Sequence, residues 1–451
     1  MAKAETITVI GTGYVGLTTA TLLAEAGYTV YALDINQERL DAIRKGRSFF
    51  YEAGIDPLVK HAVDSGKLIP TDSYAKAIPS SGYVFSCVGT PDNPDGSSNL
   101  SYVFSAAEEA AKHMQPGTIY IQKSTVPVGT GQQVEKLFKE LGKRITYLSN
   151  PEFLREGTAI SDTLWFDRIV VGGEDAKAVE SAMDLYRTIE KHRDTIANRA
   201  GLTGPVDHDG HYIGTNRNSA ELIKVTSNAF LALKISFANS IAKLADETGA
   251  DVNEVMDAVG ADKRIGRAFL SAGRGYGGGC FPKDVSGLIS SATDYGVDLG
   301  IMTAAADLNE TMPGYIANKA QEALGGSLKA KKVAVLGLAF KPGTSDARKS
   351  PGVKLANILS KNGADVRAYD PQANQEAKDD LRKGITICSS AEECVKQVDA
   401  VFIATGWPEF IEYDLTKLAK NMKGKLFVDA VNSFDTRAIS GASLKYIGVG
   451  R

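Results

Sequence analysis

Thr6-Ile7-Thr8-Val9-Ile10-Gly11-Thr12-Gly13-Tyr14-Val15-Gly16, followed by an apolar helical pattern to Ala26 and then Thr29-Val30-Tyr31-Ala32-Leu33-Asp34, decides the fold. It reads as strand, glycine turn, helix and second strand, the opening βαβ unit of a parallel sheet. Each glycine has its own reason: Gly11 makes the tight turn, Gly13 lets a pyrophosphate lie against bare backbone, and Gly16 packs helix on strand. Tyr14 and Val15 stand between them, where a helix N-terminus would face the phosphates. A lone GxGxxG is weak. Here an acid follows about 20 residues on, as Asp34, placed to accept ribose hydroxyls and to repel a 2′-phosphate. NAD is therefore the expected cofactor, in preference to NADP.

Outward from this unit, strand-like runs at 83–88, 118–123, 144–148 and 168–171 continue the sheet. Thr90, Thr125 and Glu152 follow three of them, at the edge where open α/β sheets bind ligands. Residues 219–248 predict one long helix, with Asn218 as cap and Glu221 three residues later. Its apolar residues cover nearly every face, so it is expected to be buried on both sides, joining two domains and open to a second subunit. Within it Lys224 and Asn228 are four apart and share a face, and a polar pair in an apolar helix needs partners. After Leu324-Gly325-Gly326-Ser327 a second strand–turn–helix–strand pattern begins at Lys332. Its turn, Gly337-Leu338-Ala339-Phe340-Lys341, has a single glycine and cannot cradle a pyrophosphate as closely. It predicts a different nucleotide with Lys341 as a point charge for phosphate, or a duplicated fold without a ligand. The expected fold class is α/β, two Rossmann-like doubly wound parallel-sheet domains joined by a long central helix, with domains at 1–200, 201–325 and 326–451.

Between the halves, Gly277-Gly278-Gly279-Cys280-Phe281-Pro282-Lys283-Asp284 bares one thiol. Pro282 fits a first helical turn, and a thiol just ahead of a helix N-terminus ionises more easily. A small buried hydrophobe is the commoner fate of a cysteine, but it leaves the glycines, Lys283 and Asp284 unexplained. A catalytic nucleophile accounts for all of them.

Composition narrows the classes. The 451 residues carry a net charge of −3 and no long basic run, which predicts no nucleic-acid and no anionic-membrane partner. Four cysteines (Cys87, Cys280, Cys388, Cys394) make neither a disulfide framework nor a CxxC metal pair. No apolar run is long enough for a signal peptide or a membrane span, so a cytoplasmic protein is expected. Residues 192–217 hold His192, His208 and His211 beside Asp207 and Asp209. Their spacing matches no structural zinc pattern, so a solvated surface loop and no metal are expected.

Taken together, Gly11 to Gly16, Lys123-Ser124-Thr125-Val126-Pro127-Val128-Gly129, Asn150-Pro151-Glu152-Phe153-Leu154-Arg155-Glu156-Gly157, Ala220-Glu221-Leu222-Ile223-Lys224, Arg264-Ile265-Gly266, Cys280 to Asp284 and Gly337 to Pro342 resemble the nucleotide-sugar 6-dehydrogenases over essentially the whole chain. The resemblance implies oxidation of a sugar C6 alcohol to a carboxylate by two NAD⁺ in turn, through a thiohemiacetal and a thioester on Cys280. It implies that Lys224 and Asn228 stabilise oxyanions, that Asp284 and Thr125 position the water or base, and that Glu152 assists thioester hydrolysis. Asp34, Arg39, Thr90, Glu156, Lys283 and Arg348 would contact NAD along with the glycine turn. Phe153, Leu154, Arg155, Arg264, Phe269, Leu270, Ser271, Ala272, Gly273, Gly277 and Lys341 would hold the nucleotide sugar, with Glu152, Lys224 and Asn228 beside it. A homodimer through the long helix is also implied, Arg264 reaching the neighbour's site. Two positions depart from the pattern: Gly279 replaces a common Ser, expected only to loosen the loop, and Val431 in Asp429-Ala430-Val431-Asn432 replaces a substrate-holding Arg. Among sugars UDP-glucose is favoured by Phe281 and the Glu-Phe-Leu-Arg-Glu string; GDP-mannose and UDP-N-acetylhexosamines are the alternatives, and a non-enzymatic NAD sensor is a reading of another class.

Overall fold

The computed structural model describes residues 6–205 and 208–451, which fall into two compact units, residues 1–226 and 227–451. In the first, eight strands, β1 (Thr6–Ile10), β2 (Thr29–Leu33), β3 (Leu68–Thr71), β4 (Tyr83–Ser86), β5 (Ile119–Gln122), β6 (Thr146–Ser149), β7 (Arg168–Gly172) and β8 (His211–Thr215), make one sheet in the order β3-β2-β1-β4-β5-β6-β7-β8. Strand alternation sends Ile7 and Val9 to one face, where they pack with Leu17, Leu22 and Leu23 of the helix Tyr14–Glu25. Ile10 and Val84 go to the other, with Phe138, Tyr120 and Tyr147. Both faces are thus covered, as a doubly wound sheet requires. Neighbours are parallel except β6 and β7, which meet antiparallel through Ser149 and Gly172.

Two sequence expectations fail here. Residues 192–217 are not a solvated loop: they contain the helix Arg193–Ala200, with Ile196 fully buried, and β8, which pairs in parallel with β7. The apolar residues of this helix are few and β8 is an exposed edge strand carrying Gly214, so periodicity gave no signal. Asp207 lies outside the described residues. The cap of the long helix also differs. The helix is Arg217–Thr248, and Asn216 rather than Asn218 accepts the N–H of Ser219, at 2.8 Å.

The second unit holds β9 (Lys332–Leu336), β10 (Asp365–Tyr369), β11 (Thr386–Ile387), β12 (Ala400–Ile403), β13 (Leu426–Asp429) and β14 (Lys445–Ile447). They lie in the order β11-β10-β9-β12-β13-β14, all parallel, repeating the order of the first six strands of the other sheet. One face packs on Ala238, Ala242 and Ala245 of the long helix and on Met312, Ile316 and Ala320 of the helix Gly300–Ala323. The long helix is not buried all round within one chain. Phe230, Phe237 and Leu244, every seventh residue, are 56%, 47% and 59% exposed. Among the described residues no helix is long and apolar enough to cross a membrane.

Candidate functional site

The first unit builds a dinucleotide cradle after β1. Gly11 has φ +87°, and a Cβ there would lie 2.8 Å from the Cys87 carbonyl oxygen; one on Gly16 would lie 1.7 Å from that of Gly11. Both positions exclude a side chain, whereas a Cβ on Gly13 would meet nothing within 4 Å, leaving open space against backbone where a pyrophosphate fits. Asp34, buried at the end of β2, accepts the N–H and hydroxyl of Thr12, each at 2.7 Å, and the N–H of Asn36 at 2.9 Å. Arg39 stands 3.5 Å from it. Burial pushes the Asp34 carboxyl upward, but these hydrogen bonds and the Arg39 charge outweigh it and hold the group below its ordinary range. It is an anionic acceptor set beside the cradle, as ribose hydroxyls require, so the residues fit NAD. Thr90 donates its hydroxyl to the Thr125 carbonyl at 3.0 Å and so fixes the turn after β5.

Glu152 and Lys224 form a buried ion pair in this unit. Glu152 Oε1 is 3.0 Å from Lys224 Nζ, with the side chains 8% and 4% exposed, and Oε2 accepts the Leu154 N–H at 2.6 Å. Two cations lie over the Phe153 ring, Arg168 at 3.9 Å and Lys224 at 5.5 Å from its centroid. Arg155 is turned to Asp162, with Nη2 2.5 Å from Oδ1. Glu156, half-buried, follows it in the same turn.

The second unit carries the thiol. Cys280 is exposed while Cys87, Cys388 and Cys394 are buried, and burial pushes the Cys87 thiol up to about 12. Cys280 occupies the N-cap of the helix Phe281–Asp294, with Pro282 in the first turn, where the helix dipole favours a thiolate. One turn on, Asp284 is buried. Its Oδ2 accepts Asn228 Nδ2 at 2.5 Å and its Oδ1 accepts Lys283 Nζ at 2.7 Å. A Cβ on Gly279 would lie 2.5 Å from Arg348 Cζ. The bare backbone at 279, the residue before Cys280, therefore admits that guanidinium. Arg348 also pairs with Asp346 at 2.7 Å.

Of the residues expected to hold the sugar, Phe269 has φ +66° and is exposed, Leu270 and Ala272 are buried, and Ser271 is exposed beside Arg267. The Gly273 N–H donates to Asn239 Oδ1 at 2.8 Å. A Cβ on Gly277 would strike the Lys349 carbonyl oxygen at 2.5 Å. Arg264 is 88% exposed and rests on Asp262, and Lys341 lies 5.6 Å from the Phe340 ring.

Sequence reasoning missed Glu52. It is buried and accepts the Tyr14 hydroxyl and the N–H groups of Gly157, at 2.9 Å, and Ile160, at 3.3 Å. Burial raises its pKa against those bonds. It ties the glycine turn to the segment that follows Glu152, and only its tertiary partners reveal it. Among the described residues no three His, Cys, Asp or Glu side chains gather as a metal set.

Models of the UDP-glucose/GDP-mannose dehydrogenase family match in three parts: the NAD binding domain at residues 5–190, the central domain at 218–311 and the UDP binding domain at 334–436. The chain is 39% identical over 450 residues to a UDP-glucose 6-dehydrogenase of Rhizobium meliloti, covering 99% of each chain. Among solved structures it is similar to a UDP-glucose dehydrogenase from Pyrobaculum islandicum, with TM-score 0.88, 37% identity and coverage of 99% and 98%. It is also similar to a UDP-D-ManNAc dehydrogenase from Pyrococcus horikoshii, with TM-score 0.85, 31% identity and coverage of 99% of each chain.

Proposed function

The chain belongs to the UDP-glucose/GDP-mannose dehydrogenase family, and from that premise we propose that it oxidises the C6 alcohol of UDP-glucose to the carboxylate, giving UDP-glucuronate and two NADH per sugar. The observation that carries the reading is the exposed Cys280 at a helix N-cap, with Asp284 buried one turn on and bonded to Asn228. NAD⁺, when bound on the cradle of Gly11, Gly13, Gly16 and Asp34, accepts the hydrides. Cys280 adds its sulfur to the C6 aldehyde and holds it, first as a thiohemiacetal and then as a thioester. Lys224 and Asn228 donate to the developing oxyanions. Asp284, with Thr125, orients the water, and Glu152 takes a proton from the water that breaks the C–S bond. Thr90, Arg39, Glu156, Lys283 and Arg348 belong to the cofactor side of this reading. Phe153, Leu154, Arg155, the segment 269–273, Gly277 and Lys341 belong to the sugar side.

The three-part division at 1–200, 201–325 and 326–451 and a cytoplasmic location are part of the same proposal, as is a homodimer. The dimer is supported by Phe230, Phe237 and Leu244, whose seven-residue spacing makes a stripe that a second helix would cover, and by Arg264, which is 88% exposed and paired with Asp262. The test is NADH formation with a panel of nucleotide sugars, counting NADH per sugar consumed. Two NADH per UDP-glucose is expected. A preparation active on GDP-mannose or a UDP-N-acetylhexosamine and silent on UDP-glucose removes the proposal.

A further inference from the structure

The turn after β9 repeats the turn after β1. The Gly337 N–H bonds the Tyr369 carbonyl at 2.8 Å as the Gly11 N–H bonds that of Leu33 at 2.7 Å. A Cβ on Gly352 would lie 2.4 Å from the Gly337 carbonyl oxygen, matching the close approach of Gly16 to Gly11. Asp370 accepts the Leu338 N–H at 2.7 Å as Asp34 accepts that of Thr12. The frames are alike, but what fills them differs. Over Gly13 the space is open, whereas in the second unit the Arg274 guanidinium lies on the turn. Its Nη2 donates to the Phe340 carbonyl at 2.7 Å and that of Ala339 at 3.4 Å. Its Nη1 is 3.4 Å from the Cβ position of Gly352, and its backbone N–H donates to the Ala430 carbonyl at 2.8 Å.

From this geometry we infer that Arg274 is a positioning residue for the nucleotide-sugar site, joining the segment 269–277, the turn that carries Lys341 and the turn that carries Val431. The inference rests on the function proposed above. A purely stabilising role explains the residue poorly. Arg274 is 5% exposed, and burial pulls its pKa down to about 10 against the attraction of Asp370. Among the described residues it has no carboxylate at ion-pair distance, and Nη1 has no hydrogen-bond partner. A buried charge without a paired acid costs stability, and an apolar side chain of the same length would fill the space at less cost. What the guanidinium adds is a planar fork that fixes two carbonyls relative to its own backbone, which neither Lys nor Met reproduces. Through those two carbonyls it ties the turn that carries Lys341 to the segment 269–277.

The test measures UDP binding by calorimetry together with KM for UDP-glucose and for NAD⁺ in Arg274→Lys and Arg274→Met. For the Lys variant, UDP affinity and the UDP-glucose KM should worsen about tenfold, the size of one lost hydrogen-bonded contact. The Met variant should lose more, with kcat and the NAD⁺ KM near wild type in both. Ethylguanidinium added to Arg274→Ala should restore part of the UDP affinity. A Lys variant that binds UDP as wild type does overturns the inference, as does equal weakening toward UDP and NAD⁺, which marks general loosening. If the Met variant does not fold, the Lys variant decides. Wild-type protein that binds UDP but leaves UDP-glucose unoxidised removes the proposed function and leaves this inference to the affinities; wild-type protein that binds no UDP removes both.

Discussion

Replacing Lys224 by Met tests the buried pair with Glu152 most directly. The substitution keeps most of the unbranched side chain and removes the ammonium 3.0 Å from Glu152 Oε1. Among the described residues, the carboxylate left behind retains the Leu154 N–H, at 2.6 Å, as its hydrogen bond. Removing one partner of a buried ion pair costs roughly 3–5 kcal/mol, and the surviving charge-assisted bond places this case near the lower end, about 3 kcal/mol. In a folding unit of this size each kcal/mol moves Tm by about 2–4 °C, so thermal unfolding should shift down by roughly 6–12 °C. Lys224→Met/Glu152→Leu removes both charges and should recover most of that loss, because a buried pair exchanged for apolar groups is often nearly neutral. Activity should behave differently. If Lys224 also donates to an oxyanion, NADH formation falls by about 10²–10³-fold in the single variant and stays down in the stable double variant. A single variant within 1 °C of wild type, or a double variant no more stable than the single, would refute the reasoning.

Cys280→Ser should lose turnover without forming an acyl adduct, whereas Glu152→Gln should give an NADH burst and a covalently modified protein; intact-protein mass spectrometry reads both, and an unmodified mass after a burst assigns the water to another group. NAD⁺ should exceed NADP⁺ in kcat/KM because Asp34 is held anionic beside the cradle, and equal values for the two cofactors sink that assignment. Phe237→Asp should convert a dimer to monomer in sedimentation, since it places a charge in the middle of the exposed stripe; a wild-type monomer refutes the dimer. Burial raises the Glu221 pKa to about 7, against the N–H groups of Gly129 and Gly131. The folded state therefore binds this proton more tightly than the unfolded chain, where Glu titrates near about 4.3. Its contribution is complete below that value and is lost as pH rises to about 7, so wild-type Tm should fall relative to Glu221→Gln between pH 5 and 8. A constant difference over that range is the contrary result.

What the sequence disclosed was local. The glycine turn and Asp34 are encoded by spacing within one βαβ unit, and the setting of Cys280 by four glycine and proline positions beside it, so both were readable. Some residues whose partners are distant were not. Glu52 meets Tyr14 across 38 residues and Gly157 across 105, and nothing around Tyr51-Glu52-Ala53 signals either contact. Glu221 was misread as half of a capping box because its spacing from Asn218 fits one. Instead it reaches back 92 and 90 residues to the N–H groups of Gly129 and Gly131, each at 2.8 Å, at the start of the helix Thr130–Glu140. Arg274 sat unmarked among named neighbours because a lone Arg in a glycine loop reads as solvated.

The two acids of the proposed chemistry are held by the same device. One oxygen of Glu152 meets Lys224 Nζ and the other a backbone N–H; one oxygen of Asp284 meets Lys283 Nζ and the other Asn228 Nδ2. Lys224 and Asn228 stand one turn apart on the long helix, so each proposed oxyanion donor is oriented by one of the acids. A carboxylate so placed has lone pairs left for a water proton, but its first effect is to fix the direction of the donor. The consequence reaches every substitution at these positions: a change at 152 alters the aim of Lys224 as well as the base, and a change at 284 does the same to Asn228. A loss of hydride transfer in Glu152→Gln would therefore report a misdirected Lys224, and only the accumulation of thioester separates the role of the acid in hydrolysis from its role in orientation.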